Sequence, residues 1–363
     1  MDYVSLRRQR LLSCLNQEGL DAFMISNPVN VTYLTDFSGE SSYLVLAKNR
    51  TILVSDARFT VQIAEECPGL EAHIRPPAQP IHNAVAEVLD KLGHRHIGFE
   101  NGNLTVAELE TFASLLPSVS WKGERDRVEK LRLIKDPDEI GQIRQAIRIA
   151  EKAYAMFLAM IRPEDTEKDL CDNMEYYVRR AGGRCTSFPS IVAAGERAAL
   201  PHAPPTGKRV GEAEMVLVDW GASGPFYKSD LTRVLATRTI SPKLEEVYQV
   251  VLQAQKKAIQ AIRPGAKAHD IDAQARGTIA TKGFGDFFGH GLGHGVGLQI
   301  HEGPAVRQNS EILLEPGMVV TVEPGIYLPG WGGVRIEDDI LVTPDGNEVL
   351  TSVAKDPLPS LDF

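Results

Sequence analysis

Three histidines, His290, His294 and His301, fall within one glycine-rich stretch of the chain, residues 287–302. Histidine is the commonest metal ligand in proteins, and its side chain titrates near neutral pH. Glycine lets the backbone approach another group closely or adopt a positive φ. The stretch therefore predicts either a metal site or an acid–base site, and the choice depends on which other residues the fold brings to it.

Four acidic residues stand inside apolar runs that are typical of β-strands. The runs and their acidic residues are 215–221 with Asp219, 227–234 with Asp230, 319–325 with Glu323 and 333–340 with Glu337. Each consecutive pair of runs predicts a β-hairpin with one carboxylate in each arm. Pro324 marks the point at which the third run stops being suitable for a central strand.

A carboxylate inside an apolar strand is costly to bury unless it is paired or binds a metal. Two divalent cations would balance four carboxylates, and a histidine could complete their coordination. Oxygen-rich donors of this kind suit Mn²⁺, Co²⁺, Fe²⁺ or Zn²⁺. A pair of metals about 3.5–4 Å apart is a recurring device of hydrolases.

Each of these residues also has a structural interpretation when it is taken alone. Asp219 could begin a turn, and Glu337 could belong to a solvated acidic cluster with residues 338–339. The joint pattern of four carboxylates and three nearby histidines favours the metal site. A zinc-binding HExxH helix is excluded, because Gly291 stands where that motif needs glutamate. The glycines also lack the GxGxxG order of a dinucleotide-binding loop.

The elements that must position these residues occur twice in the second part of the chain. The segment 136–139, Asp-Pro-Asp-Glu, predicts a helix start with a capping box. The predicted helices cover 137–161 and 167–181, and then 242–262 and 269–283. Each helix pair leads into one of the two hairpins, which predicts an internal duplication of an α-α-β-β unit.

Residues 1–120 alternate helical and β-type segments. The predicted helices cover 6–18, 81–93 and 104–115, and the predicted strands cover 21–25, 43–47, 51–55 and 96–99. This order predicts a compact α/β domain, in which no set of catalytic residues is recognisable. We interpret the charged segment 121–127 as the boundary, so the predicted domains are 1–125 and 126–363 and the fold class is α+β.

The composition argues against several classes of partner. The 363 residues carry 39 Lys and Arg against 48 Asp and Glu, and this net charge of −9 disfavours a nucleic-acid or anionic membrane surface. The four cysteines are widely spaced and suit reduced thiols. The N-terminus has no apolar signal region, and no apolar run approaches the length of a bilayer span. A cytoplasmic location is therefore expected.

With these motifs the chain resembles the pita-bread metallopeptidases, a family that includes methionine aminopeptidase, aminopeptidase P, prolidase and the metal-free relative creatinase. The residues that match the family's dinuclear metal ligands are Asp219, Asp230, His294, Glu323 and Glu337. The segments similar to its Xaa-Pro branch are 200–202, 289–297, 301–304, 321–327 and 334–338. Residues 1–120 resemble its creatinase-type N-terminal domain. The resemblance implies a pita-bread catalytic domain with two divalent ions. Mn²⁺ is the expected ion, and Co²⁺, Zn²⁺ or Fe²⁺ are the alternatives.

The resemblance also implies catalytic roles. Glu323 would act as a general base in addition to binding metal. His202 and His301 would hydrogen-bond the substrate carbonyl and the tetrahedral intermediate. His290 would line the pocket as a further histidine.

Two more residues are expected to support the metal ligands. Arg335 stands two residues before Glu337, so on one strand the two side chains would share a face. From there Arg335 would orient a ligating carboxylate. Tyr327 matches a residue of the family and is expected to anchor that network.

The expected activity is hydrolysis of the bond before proline at the N-terminus of peptides, as in aminopeptidase P. The alternative is a prolidase, which takes only dipeptides and needs a cation for the free carboxylate of the substrate, with Arg307 as a weak candidate. A third interpretation is an inactive binding or scaffold homologue, against which the intact ligand set argues. The expected partners are a proline-containing peptide and a second copy of the chain in a homodimer.

Overall fold

The computed structural model describes residues 2–361, apart from the side chains of Asn16 and Gln17. The chain divides into two compact units, Met1–Arg132 and Leu133–Phe363. The boundary predicted at residue 125 lies a few residues earlier, and the short helix Arg127–Arg132 belongs to the first unit. Within the described part of the chain, no helix is long and apolar enough to cross a membrane.

The first unit is a six-stranded mixed sheet with helices. Its strands are β1 Ala22–Ile25, β2 Tyr43–Ala47, β3 Arg50–Asp56, β4 Glu71–Arg75, β5 His96–Glu100 and β6 Ser120–Glu124. Its helices are α1 Tyr3–Gln17, α2 Pro28–Thr35, α3 Thr60–Glu66, α4 Ile81–Leu92, α5 Val106–Leu115 and α6 Arg127–Arg132. The strand order is β4-β3-β2-β1-β5-β6. The predicted hairpin of β2 and β3 is confirmed, because Ala47 pairs with Arg50 across a tight turn.

The sequence analysis missed β4 and β6, which are the two edges of this sheet. Both strands carry mostly exposed or half-buried side chains. An edge strand needs no continuous apolar face, so its sequence lacks the pattern by which a buried strand is found. The central strand β1, in contrast, is buried at all four positions.

The second unit contains four long helices and two main sheets. Its helices are α7 Pro137–Met160, α8 Glu167–Arg180, α9 Pro242–Ala261 and α10 Ala268–Thr281. Its strands are β7 Cys185–Thr186, β8 Ile191–Ala194, β9 Met215–Trp220, β10 Ala222–Ser223, β11 Leu231–Ala236, β12 Gly293–Gly295, β13 Glu302–Val306, β14 Val319–Val322, β15 Gly325–Leu328, β16 Gly332–Arg335, β17 Asp338–Thr343 and β18 Gly346–Val349. All four predicted helices are confirmed, and Asp136 caps α7 by accepting hydrogen bonds from the backbone N–H groups of Asp138 and Glu139.

Each helix pair packs on one of the sheets. The first sheet has the order β11-β9-β8, and the second has the order β13-β12-β14-β17-β18. On β9, Val218 and Trp220 are buried in the apolar cluster formed with α7 and α8. The Trp220 ring stacks on Tyr154 of α7 with the ring centroids 4.2 Å apart. Since side chains alternate along a strand, Asp219 between them points to the opposite face.

The second predicted hairpin is wrong in its detail. The run 333–340 is not one strand: β16 ends at Arg335, and β17 begins at Asp338. Strand β17 pairs with β14, whereas β16 pairs with β15. Pro324 follows β14 and cannot donate to a ladder, so the chain leaves the sheet there and returns only after a separate small hairpin. Glu337 consequently lies in the connection between two strands.

Candidate active site

One cavity of about 650 Å³ in the second unit contains every residue that the sequence analysis assigned to the site. The residues are His202, Asp219, Asp230, His290, His294, His301, Glu323, Tyr327, Arg335 and Glu337. They come from both halves of the duplicated unit. A single β-bridge between Thr232 and Glu337 joins the halves beside the cavity.

The five proposed metal ligands come from the ends or centres of neighbouring strands. Asp219 lies on β9, and Asp230 directly precedes β11, its partner strand. Glu323 directly follows β14, Glu337 directly precedes β17, and His294 is the central residue of β12. Because β12 and β17 both pair with β14, the sheet brings the imidazole and the two glutamates to one side of the cavity.

The ligand atoms are close enough to share cations. Asp230, His294 and Glu337 each offer a ligand atom within 4.8 Å of the other two. Nε2 of His294 lies 3.6 Å from Oδ2 of Asp230 and 3.4 Å from Oε1 of Glu323. The buried Oδ1 of Asp219 has no hydrogen-bond partner among residues 2–361. A buried oxygen without a donor is expected where a cation binds, so this donor set fits two divalent ions.

The carboxylates repel one another when no cation is bound. Burial, reinforced by the charges of the neighbouring carboxylates, raises the pKa of Asp230 and of Glu337 well above their ordinary values. Burial raises the pKa of Glu323 to about 8, although the charge of Arg335 opposes this shift. Burial lowers the pKa of His294 to about 4, so its imidazole is neutral at pH 7, which is the form that binds metals.

Arg335 supports the ligands of both halves. Its guanidinium donates from Nη2 to Oδ2 of Asp219 and from Nε to the hydroxyl of Thr232, the latter at 3.1 Å. The Thr232 hydroxyl donates in turn to Oε2 of Glu337 at 2.6 Å. The expectation that one strand carries both Arg335 and Glu337 is wrong, because β16 ends at Arg335 and β17 begins only at Asp338, although both side chains line the cavity. Arg335 instead contacts Asp219 directly and is linked to Glu337 through Thr232.

The histidines other than His294 differ in their burial. His202 and His301 are exposed, and the His301 ring packs edge-on against His294 with the centroids 4.4 Å apart. His290 lies deeper, with Nε2 at 2.9 Å from the Tyr327 hydroxyl. That hydroxyl also accepts a hydrogen bond from Nη1 of Arg335 at 2.9 Å. Tyr327 therefore connects His290 to the arginine that holds Asp219.

Sequence reasoning missed two threonines that hold the ligands. Thr232 has been described above, and Thr321 acts similarly in the other half. The Thr321 hydroxyl accepts from the backbone N–H of His294 at 3.0 Å and donates to Oε1 of Glu323 at 3.3 Å. Each threonine stands two residues from a proposed ligand along the chain, Thr232 from Asp230 and Thr321 from Glu323, which lie just outside strands β11 and β14. That spacing was the available signal.

The rest of the cavity wall is mainly apolar. It includes Phe188, Pro189, Ile191, Pro201, Ala203, Pro204, Pro205 and Ala305. Arg307 lines the same cavity, is exposed, and pairs with no carboxylate in the described part of the chain. An apolar wall with one free guanidinium suits a small apolar ligand that carries a carboxylate.

Comparison with known proteins identifies relatives along the whole chain. The model of metallopeptidase family M24 matches residues 141–344, and the model of the creatinase/prolidase N-terminal domain matches residues 7–134. An Xaa-Pro dipeptidase of Pyrococcus furiosus is 35% identical over 352 residues, covering 96% of this chain and 99% of that protein. A solved structure of an Xaa-Pro dipeptidase from Bacillus anthracis matches with a TM-score of 0.94 at 38% identity, covering 99% of this chain and 100% of that one. An X-Pro aminopeptidase from Thermotoga maritima matches with a TM-score of 0.90 at 34% identity, covering 96% of this chain and 99% of that one.

Proposed function

The chain belongs to metallopeptidase family M24, and we propose that it is a two-metal peptidase that hydrolyses Xaa-Pro dipeptides. The observation that carries this proposal is the single cavity in which the complete set of acidic and histidine ligands meets a free guanidinium and an apolar wall. The Xaa-Pro dipeptidases of Pyrococcus furiosus and Bacillus anthracis support the choice of substrate. The initial preference for an aminopeptidase is therefore replaced by its alternative, a prolidase.

The metal ligands would be Asp219, Asp230, His294, Glu323 and Glu337. When bound, two divalent ions supply a polarised water and a Lewis acid for the substrate carbonyl. We propose Mn²⁺ as the native ion, because four carboxylates and one imidazole form an oxygen-rich donor set, and Co²⁺, Zn²⁺ or Fe²⁺ are the alternatives. Metal analysis of the purified protein, with activity measured before and after chelation, tests this point and also separates an enzyme from an inactive scaffold.

The chain's own residues would move the proton and hold the reacting carbonyl. Glu323, kept in place by Thr321, would take a proton from the attacking water and deliver it to the proline nitrogen as the C–N bond breaks. His202 and His301 would donate hydrogen bonds to the carbonyl oxygen as it becomes negatively charged. Donors of this kind each contribute about 2.7–4 kcal/mol to transition-state stabilisation. His290 would hold the Tyr327 hydroxyl in its bond with Arg335.

Proline itself explains why a dedicated site is needed. The nitrogen of an Xaa-Pro bond carries no hydrogen, so a peptidase that recognises a backbone N–H is poorly matched to it. A cavity lined by histidines and apolar side chains can instead accept the proline ring.

Arg307 would distinguish a dipeptide from a longer substrate. In Ala-Pro the proline carboxylate is free and can pair with the guanidinium, whereas in Ala-Pro-Ala that carbonyl is part of a peptide bond. We expect Ala-Pro to be cleaved faster than Ala-Pro-Ala, and Arg307→Ala to raise KM for Ala-Pro more than KM for the tripeptide. Faster cleavage of the tripeptide would favour the second candidate, an aminopeptidase, which the Thermotoga maritima structure supports.

Assembly and location are part of the proposal. We propose a homodimer, which is the expectation that the family resemblance implies, and light scattering of the purified protein measures it. We propose a cytoplasmic location, in accord with four cysteines that are all free thiols. Fractionation of the source cells tests that location.

A further inference from the structure

An arginine and an aspartate on helix α10 form an ion pair beside the active-site cavity. Arg276 donates from Nε and Nη2 to the two carboxylate oxygens of Asp272, one helical turn earlier, at 2.8 and 2.9 Å. The Asp272 side chain is only 1% exposed. The pair is therefore bidentate with its carboxylate buried, which fixes the plane of the guanidinium.

The same two side chains bind three backbone groups of the loop 288–292, which carries His290. Arg276 donates to the carbonyl oxygens of Phe288 and His290, each at 2.8 Å. Oδ1 of Asp272 accepts from the backbone N–H of Leu292 at 3.1 Å. This loop belongs to no strand of the described chain, so the ion pair supplies partners that a β-ladder would otherwise provide.

The contacts extend from the loop backbone to the imidazole ring. The Arg276 guanidinium lies over the Phe288 ring, 4.2 Å from its centroid. The Phe288 ring meets the His290 ring edge-on, with the centroids 5.1 Å apart. From there the His290 Nε2 reaches Tyr327. Arg276 thus binds the backbone of His290 directly and lies over the Phe288 ring that packs against the His290 ring.

We propose that Arg276, paired with Asp272, is a positioning residue for the hydrolysis and acts by holding His290 in the cavity wall. The inference rests on the proposed function, because it concerns the same site. Arg276 is not among the residues that line the cavity. Its effect on the reaction must therefore pass through the loop, and the geometry directs that effect to His290.

A double-mutant cycle in the metal-loaded protein tests this route. The variants are Arg276→Met, His290→Ala and the two together, with kcat/KM measured on Ala-Pro. We expect Arg276→Met to lower kcat/KM by about 10- to 100-fold, the range found when a group that orients a site residue is removed. The double variant should be no slower than His290→Ala alone, within about twofold.

A matched control and a conservative variant accompany the cycle. Arg144 also forms a bidentate pair, with Glu348 at 2.7 and 2.8 Å, in the same unit but away from the cavity. Arg144→Met should leave kcat/KM unchanged. Arg276→Lys keeps the charge with fewer donors and should recover part of the activity, which also covers the case in which Arg276→Met does not fold.

Three outcomes would overturn the proposal. They are full activity of Arg276→Met, losses that multiply in the double variant, and loss of bound metal from Arg276→Met. Hydrogen exchange of the metal-free protein gives a readout that does not depend on turnover. We expect the amides of 288–292 to exchange at least about 10-fold faster in Arg276→Met while those of α9 are unchanged. If the wild type fails to cleave Ala-Pro, the proposed function is wrong, and this exchange result still decides whether Arg276 holds the loop.

Discussion

Removal of the metals should make the stability of the second unit depend on pH. In the metal-free state, burial raises the pKa of Glu323 to about 8. The native protein then holds a proton on Glu323 between pH 6 and 8, whereas the unfolded chain does not. Unfolding consequently releases a proton, and the free energy of unfolding falls as the pH rises through this window. With metals bound, the carboxylates are ionised at both pH values and their contribution to the pH dependence disappears.

The size of the effect follows from the same shift. Integrating the proton uptake of one group with a native pKa of about 8 gives a loss of about 2 kcal/mol in unfolding free energy between pH 6 and 8. The Glu323 side chain is 16% exposed. Water in the cavity therefore screens its charge, and the loss in unfolding free energy given above is an upper bound. The raised pKa values of Asp230 and Glu337 act in the same direction. The pKa values of His290 and His294, which burial lowers to about 4, act in the opposite direction, because their unfolded imidazoles take up protons near pH 6 that the native ones do not.

Urea unfolding at pH 6 and pH 8 measures this dependence in chelated and metal-loaded protein. In a Trp121→Phe background the remaining tryptophans, Trp220 and Trp331, both lie in the second unit, so fluorescence reports that unit alone. Glu323→Gln, which cannot ionise, is the control and should lose the part of the dependence that Glu323 contributes. A chelated Glu323→Gln protein whose pH dependence of stability equals that of the chelated Trp121→Phe parent would refute the reasoning.

Three further changes have defined outcomes. Asp219→Ala should abolish metal binding and turnover together, and retention of both would remove Asp219 from the ligand set. Thr232→Val keeps the side-chain shape but deletes the hydroxyl that binds Glu337, so metal titration should show affinity weakened by about 10- to 100-fold. Lys135→Met removes the cation that pairs with Glu302 at 2.9 Å, and because this ion pair is buried, denaturation should show a loss of about 3–5 kcal/mol. Adding Glu302→Gln should restore part of that stability, and an unaffected single variant would show that the pair is dispensable.

The helices and strands that hold the site could be predicted from the sequence where a capping residue or a regular pattern of buried side chains marks them. Asp136 and Pro137 predict the start of α7 because a cap and a fixed φ are needed only at a helix start. The alternation of apolar residues around Asp219 predicts β9 because one face of that strand is buried against helices. The two edge strands of the first unit and the break after Arg335 were missed, because exposed strands and strand ends impose no such pattern.

The residues of the site also fall into two groups. Some are unusual for their sequence surroundings, and others are ordinary residues of strands and helices. Asp219 and Glu337 were selected as candidate ligands because an acid inside an apolar run is costly to bury unless it is paired or binds a cation. Thr232 and Thr321 were missed because threonine is an ordinary strand residue. Asp272 and Arg276 have the spacing of any helical surface ion pair, and nothing in the chain indicates that both also bind the backbone of residues 288–292. Candidate ligands can therefore be predicted from a sequence, because burying a carboxylate in an apolar strand costs free energy. The residues that orient them can be recognised only once the fold shows which groups they bind.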